Sequence, residues 1–152
     1  MVNIIHRVGI RASISEVYRA IATIEGIAEW WTTDTSGISE INQAIQVRFS
    51  SHDGTILGSM EMEVTELTPS EKIQWRFLSG PSEWVDTMVT FELKQEDSFT
   101  IVQFVHSEWK EEVEFMAHCS TKWGVFLLSL KQFLECGTGT PAPNDIKIDN
   151  WN

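Results

Sequence analysis

Apolar and polar positions alternate at the start of the chain. Ile4, His6, Val8 and Ile10 fall on one side and Ile5, Arg7 and Gly9 on the other, which predicts a first strand. Ser13 followed three residues later by Glu16 is a capping box, so a helix begins there. Val17, Ala20, Ile21 and Ile24 recur at helical spacing, and Gly26 reads as the residue that ends the helix. A short helical turn is expected over 28–31, ending in the pair Trp30-Trp31.

A period of two then runs through most of the chain. Ile41 to Phe49 predicts a strand with Ile45, Val47 and Phe49 on one face, and Asp53-Gly54 is a hairpin turn signal. From Thr55 to Leu67, Gly58, Met60, Met62 and Val64 share one face, with Glu61, Glu63 and Thr65 on the other. After a turn at Pro69-Ser70, Ile73, Trp75 and Phe77 alternate with Gln74 and Arg76. Gly80-Pro81 interrupts the pattern. Val85, Thr87, Val89, Phe91 and Leu93 then alternate with Asp86, Met88, Thr90 and Glu92, and after Glu96-Asp97, Thr100, Val102, Phe104 and His106 alternate with Ile101, Gln103 and Val105. From Glu111 to Glu135 the spacing becomes helical. Phe115, Cys119, Trp123, Phe126, Leu130 and Phe133 form one stripe, and Gly137 is placed to cap the end. Residues 138–152, rich in Pro, Asn and Asp, read as an extended tail on the surface.

Strands joined by tight turns are antiparallel. Such a sheet has one face to cover and a single long helix to cover it. The expected fold is therefore α+β: a curved, six-stranded antiparallel sheet wrapped around a long C-terminal helix, with one or two short helices after the first strand. One domain over 1–137 carries it, with 138–152 as the tail.

This order of elements resembles the helix-grip superfamily often called SRPBCC, which includes START lipid-transfer domains and polyketide cyclases. The closer resemblance is to the branch named for the activator of the heat-shock-ninety chaperone ATPase. The matching segments are Val17-Tyr18-Arg19-Ala20-Ile21, the Trp30-Trp31 pair, Gly58, Trp75, and the strand from Thr100-Ile101-Val102 to His106. Trp123 with Leu127, Leu130 and Leu134, then Glu135-Cys136-Gly137, complete the set. The resemblance implies a cavity between sheet and long helix that holds a small apolar molecule, with no shared catalytic constellation and no shared cofactor. One departure is Asn42-Gln43-Ala44-Ile45, where relatives carry a Gly-Gly-Thr/Ser-Phe type segment.

Composition narrows the partners. The 152 residues are 42% apolar and 22% charged, a folded composition that needs no disulfide or metal. Eleven Lys and Arg against 22 Asp and Glu give a net charge of -11, which argues against nucleic acid and against an anionic membrane surface. No apolar run approaches the ~20 residues of a membrane span. His6, Arg7 and Arg11 break the opening segment, so no signal peptide is expected. Cys119 and Cys136 lie on one predicted helix about 25 Å apart, too far to be bridged. The chain reads as cytoplasmic and reduced.

The candidate ligand walls are Met60, Met62, Trp75, Phe77, Val89, Phe91, Phe104, Phe115, Cys119 and Trp123, with Trp30 and Trp31 guarding the mouth. The competing reading is that all of these simply pack on one another, as protein interiors normally do. Thr87 and His106 are the candidate polar anchors, and each can equally be a satisfied core group. His118 beside Cys119 suggests zinc only weakly, because neighbouring helix residues point about 100° apart and no CxxC or HExxH motif is present. Glu83 and Asp86 are an odd number of residues apart on an expected strand, so they should not act as an acid–base pair. The acidic run Glu111, Glu112 and Glu114 suits the positive end of the long helix. No metal or cofactor is expected. Three functions stay open: binding a small apolar ligand, docking on a chaperone partner, or cyclase- or hydrolase-type catalysis in the same cavity.

Overall fold

The structure, a computed structural model, describes residues 2–152. The elements are β1 (Val2–Ile10), α1 (Ile14–Ala22), α2 (Ile24–Trp30), β2 (Asp34–Gly37), β3 (Ala44–Ser50), β4 (Ile56–Thr68), β5 (Lys72–Ser79), β6 (Met88–Glu96), β7 (Phe99–Trp109) and α3 (Glu114–Cys136). The strands form one antiparallel sheet in the order β1-β7-β6-β5-β4-β3-β2. Chain neighbours pair throughout, except that β1 closes against β7. Bulges between Glu61 and Met62 and between Val64 and Glu66 bend the long β4, as extra residues in one strand do.

The fold is the expected α+β one, with seven strands rather than six. The additional strand, β2, is the polar segment Asp-Thr-Ser-Gly, and it pairs with β3 from Asp34 opposite Arg48 to Gly37 opposite Ile45. It carries no apolar alternation because it is a short edge strand.

Three local expectations also change. Gly26 does not end a helix. α1 stops at Thr23, whose hydroxyl accepts from the Gly26 amide at 3.0 Å and so caps α2. Gly26 lies inside α2, where a methyl group would stand 2.5 Å from the Ala20 carbonyl oxygen. Residues 81–87 form turns instead of the start of a strand, with Asp86 at φ 67° and tied to Arg76 at 2.6 Å. This loop drives Trp84 inward. Finally, α3 begins after Val113, so Glu111 and Glu112 precede it and only Glu114 lies in its first turn.

The apolar faces come together as one core. Met62, Val64, Trp75, Phe77, Val89, Phe91, Val102 and Phe104 of the sheet are buried, together with Met116, Cys119, Trp123, Phe126, Leu127 and Leu130 of α3. Among the described residues no helix is long and apolar enough to cross a membrane.

The segment after Gly137 is held to the domain. The amide of Thr140 donates to Ser129 Oγ at 2.8 Å. Ala142 is buried between its neighbours, donating to the Trp31 carbonyl at 2.9 Å and accepting from the Thr33 amide at 3.2 Å. Asp145 is buried too. The surface-lying tail read from the sequence is thus anchored at Ala142 and returns across the N-terminal half of α3.

Candidate functional site

An apolar recess of about 290 Å³ opens between α3, the β3–β4 hairpin, the β5–β6 loop and the returning tail. Phe49, Leu57, Gly58 and Met60 come from the hairpin, and Pro81 and Trp84 from the loop. Helix spacing brings Phe115, Cys119, Lys122, Trp123 and Phe126 to one side of α3. Trp31 forms part of the floor. It stacks on Trp75 at 5.8 Å and lies 5.1 Å from Trp123 and 5.7 Å from Phe49, ring centre to ring centre. Trp84 stacks in turn on Trp123 at 5.9 Å.

Of the residues chosen from sequence, Trp31, Met60, Phe115, Cys119 and Trp123 line this recess. Met62, Trp75, Phe77, Val89, Phe91 and Phe104 lie in the packed core instead. Trp30 is also core. It is fully buried, and its indole N–H donates to the Ala20 carbonyl at 2.9 Å. Alternation correctly assigns these side chains to the inner face, but the space lies toward one end of that face.

His106 and Thr87 are buried away from the recess and bonded to each other. The Thr87 hydroxyl donates to the Trp84 carbonyl at 2.6 Å, so it accepts from His106 Nε2–H at 2.8 Å. Trp123 Nε1–H donates to His106 Nδ1 at 3.1 Å. Both ring nitrogens are taken up in a neutral imidazole. Burial accordingly pushes its pKa down to about 3.

The groups missed from sequence are mostly at the mouth. Lys122, on α3, is paired with the buried Asp145 and also donates to the Ile146 carbonyl at 2.9 Å. Lys147 holds the other oxygen of Asp145 at 3.0 Å. Burial works against ionisation of Asp145, but the hydrogen bonds from Lys122 and Lys147 outweigh it and hold the carboxyl below its usual range. One turn before Lys122, His118 Nδ1–H donates to Asp149 at 2.7 Å, which lowers that carboxyl as well. The ring of Trp151 lies 5.6 Å from His118 and 6.3 Å from Phe115. Among the described residues no three metal-ligating side chains cluster. Cys119 is a free thiol whose pKa is pushed up to about 12, chiefly by burial. Among the described residues the indole N–H of Trp84, another wall residue, makes no hydrogen bond other than its interaction with the Cys119 thiol.

The chain has structural relatives. A protein of Colwellia psychrerythraea, described as the Aha1 dimer, is 43% identical with a TM-score of 0.81, covering 91% of this chain and 100% of that one. A Bacillus halodurans protein is 24% identical with a TM-score of 0.68, covering 89% of this chain and 98% of the other. A protein encoded in the dynemicin biosynthetic locus is 18% identical with a TM-score of 0.71, covering 90% of this chain and 48% of its own. These last two share the fold. No curated protein matches the sequence at a significant level. Residues 11–135 match the family described as activator of Hsp90 ATPase homolog 1-like proteins, and the chain belongs to that family.

Proposed function

We propose that this protein binds a small apolar molecule in the recess between α3 and the β3–β4 hairpin. The observation that carries the reading is the open recess of about 290 Å³ walled by Trp31, Phe49, Trp84, Phe115, Trp123 and Phe126 at the edge of the buried core. Ligand sites are concave, mostly apolar and furnished with a few polar groups. Here those groups are Lys122 and His118, with the Trp84 N–H beside the Cys119 thiol. A reducing compartment such as the cytoplasm suits the free thiols Cys119 and Cys136.

Native mass spectrometry of freshly purified protein tests the reading, together with thermal shift across apolar compounds. A co-purified molecule released on denaturation, or a stabilised melting transition, is the expected result. A clean unliganded mass with no shift from any compound would overturn it.

A second reading is a chaperone-docking module. It is supported by the family's description and by the Colwellia psychrerythraea relative. The net charge of -11 favours a basic partner surface, with electrostatics raising the association rate. Binding to purified chaperone that weakens with added salt is its expected signature, and no binding at low salt would remove it.

A further inference from the structure

The mouth of the recess carries two hydrogen-bond donors one helical turn apart, Lys122 and His118, and both are satisfied by carboxylates of the tail. Asp145 occupies Lys122 and Asp149 occupies His118, so the tail presents to α3 what an anionic ligand would present. We propose that the recess takes a molecule with an apolar body and a carboxylate end, and that this carboxylate reaches Lys122 and His118 by displacing Asp145 and Asp149. The inference rests on the ligand-binding reading above and adds the chemical class of the ligand.

The tail is constructed so that this exchange strands few groups. Ala142 is the fixed point, bonded on both sides to the segment after α2. Beyond it, residues 145–152 hold together internally. Asp145 keeps Lys147 at 3.0 Å, and Asp149 accepts from the Trp151 amide at 2.8 Å. The Asn152 side chain accepts from the amides of Ile148 and Asp149 at 3.2 and 3.1 Å. Lifting the segment therefore leaves each carboxylate with a partner. Ile146 is 67% exposed and adds little apolar resistance, so the main apolar contact to be given up is the half-covered Trp151 ring against Phe115 and His118, which the ligand's apolar body would replace. A second recess of about 310 Å³ is bordered by Glu114, Thr121, His118 and the tail residues Asp149, Asn150 and Trp151.

The interior beside the two donors is aromatic, with Phe126 5.0 Å from the Lys122 ammonium and Phe115 stacked on His118 at 5.9 Å. A carboxylate bonded to Lys122 would place its attached chain against these rings. A charged donor such as the Lys122 ammonium in such surroundings favours an anion over a neutral hydroxyl of the same length.

The test compares dodecanoate with dodecanol by calorimetry on the full chain, in the wild type, in Lys122→Met and in the double variant Asp145→Asn/Asp149→Asn. Dodecanoate is expected to bind the wild type at least about tenfold more tightly than dodecanol. Lys122→Met should abolish that preference. The double variant should bind dodecanoate about tenfold more tightly than the wild type, because its tail competes less. Hydrogen exchange provides a check that needs no variant: amides of 145–152 should lose protection when dodecanoate binds the wild type. Equal affinity for the two compounds overturns the inference and leaves the ligand-binding reading standing, as does a tail that stays protected with dodecanoate bound. If neither compound binds any of the three proteins, both readings fall.

Discussion

Trp123 donates its indole N–H to His106 at 3.1 Å, tying the long helix to the centre of β7 through a neutral imidazole. The other ring nitrogen donates to Thr87, and burial holds the pKa of the ring at about 3 against an ordinary 6.5. The unfolded chain therefore binds a proton here at pH values where the folded chain does not. The stabilisation is fully present above pH 6.5 and is lost as pH falls toward 3, at about 1.4 kcal/mol per pH unit. His106→Gln removes this contribution. Urea unfolding of the wild type and the variant should show a stability gap that narrows between pH 7 and pH 4. A gap that does not change with pH would mean that His106 is already charged or reached by solvent in the folded state.

A methyl group on Gly26 would stand 2.5 Å from the Ala20 carbonyl oxygen, where α2 crosses the end of α1. In an isolated helix Gly→Ala stabilises by about 1 kcal/mol. In this protein the sign should reverse. The atoms it would meet are backbone atoms of Ala20, which can yield only by separating the two helices. Gly26→Ala should lower stability by about 1–3 kcal/mol, as other overpacked sites do. An unchanged or raised unfolding midpoint would show that α1 and α2 are less tightly apposed than the structure has them.

The same glycine shows why parts of the fold were readable in the sequence and others were not. β1, α1, β5 and α3 bury one face against water on the other, so their side chains declare the period. Gly26 reads as a helix end because its reason for being small is a backbone reached through the chain's bend at Thr23. β2 has no apolar side chain to declare a period. In the site, Trp31, Met60, Phe115, Cys119 and Trp123 were legible from strand alternation and the helical stripe. That same alternation also chose Trp75, Phe91 and Phe104, because it identifies the inner face but not how far along it the packing ends. The pairs Lys122–Asp145 and His118–Asp149 span 23 and 31 residues, and no local period encodes them.

Trp30 and Trp31 are adjacent, both buried and both aromatic, yet they should respond differently. Replacing either with Leu removes a large core side chain and should cost about 3 kcal/mol. Trp30 bonds the Ala20 carbonyl inside the core, whereas Trp31 also forms part of the recess floor. Dodecanol titration should therefore change for Trp31→Leu and remain as in the wild type for Trp30→Leu. Equal changes in both would mean that the recess reaches deeper than its present lining.

The two thiols should also separate. Cys136 is exposed, while Cys119 is buried with its pKa pushed up to about 12. At pH 8 a thiol of that pKa is ionised in only about one molecule in ten thousand, and the thiolate is the reactive form. Iodoacetamide followed by peptide mass analysis should label Cys136 alone in the folded protein and both cysteines in denaturant. Rapid native labelling of Cys119 would show that the recess wall opens to solvent.

Gly58 provides the most direct probe of the recess as a binding site. It stands on the β4 face that also carries Met60 and Met62, and an added Cβ would meet no atom within 4 Å. Its φ is not in the left-handed region, so a larger side chain meets no backbone strain. Gly58→Leu should fill the recess from the hairpin side. Stability should hold or rise by up to about 1 kcal/mol, because glycine is unfavourable within a strand. Binding of dodecanol should fall at least about tenfold, the loss corresponding to roughly 1.4 kcal/mol. Intact stability with undiminished binding would place the apolar ligand elsewhere. A loss of stability instead would mean that the space beside Gly58 is filled by neighbours in solution.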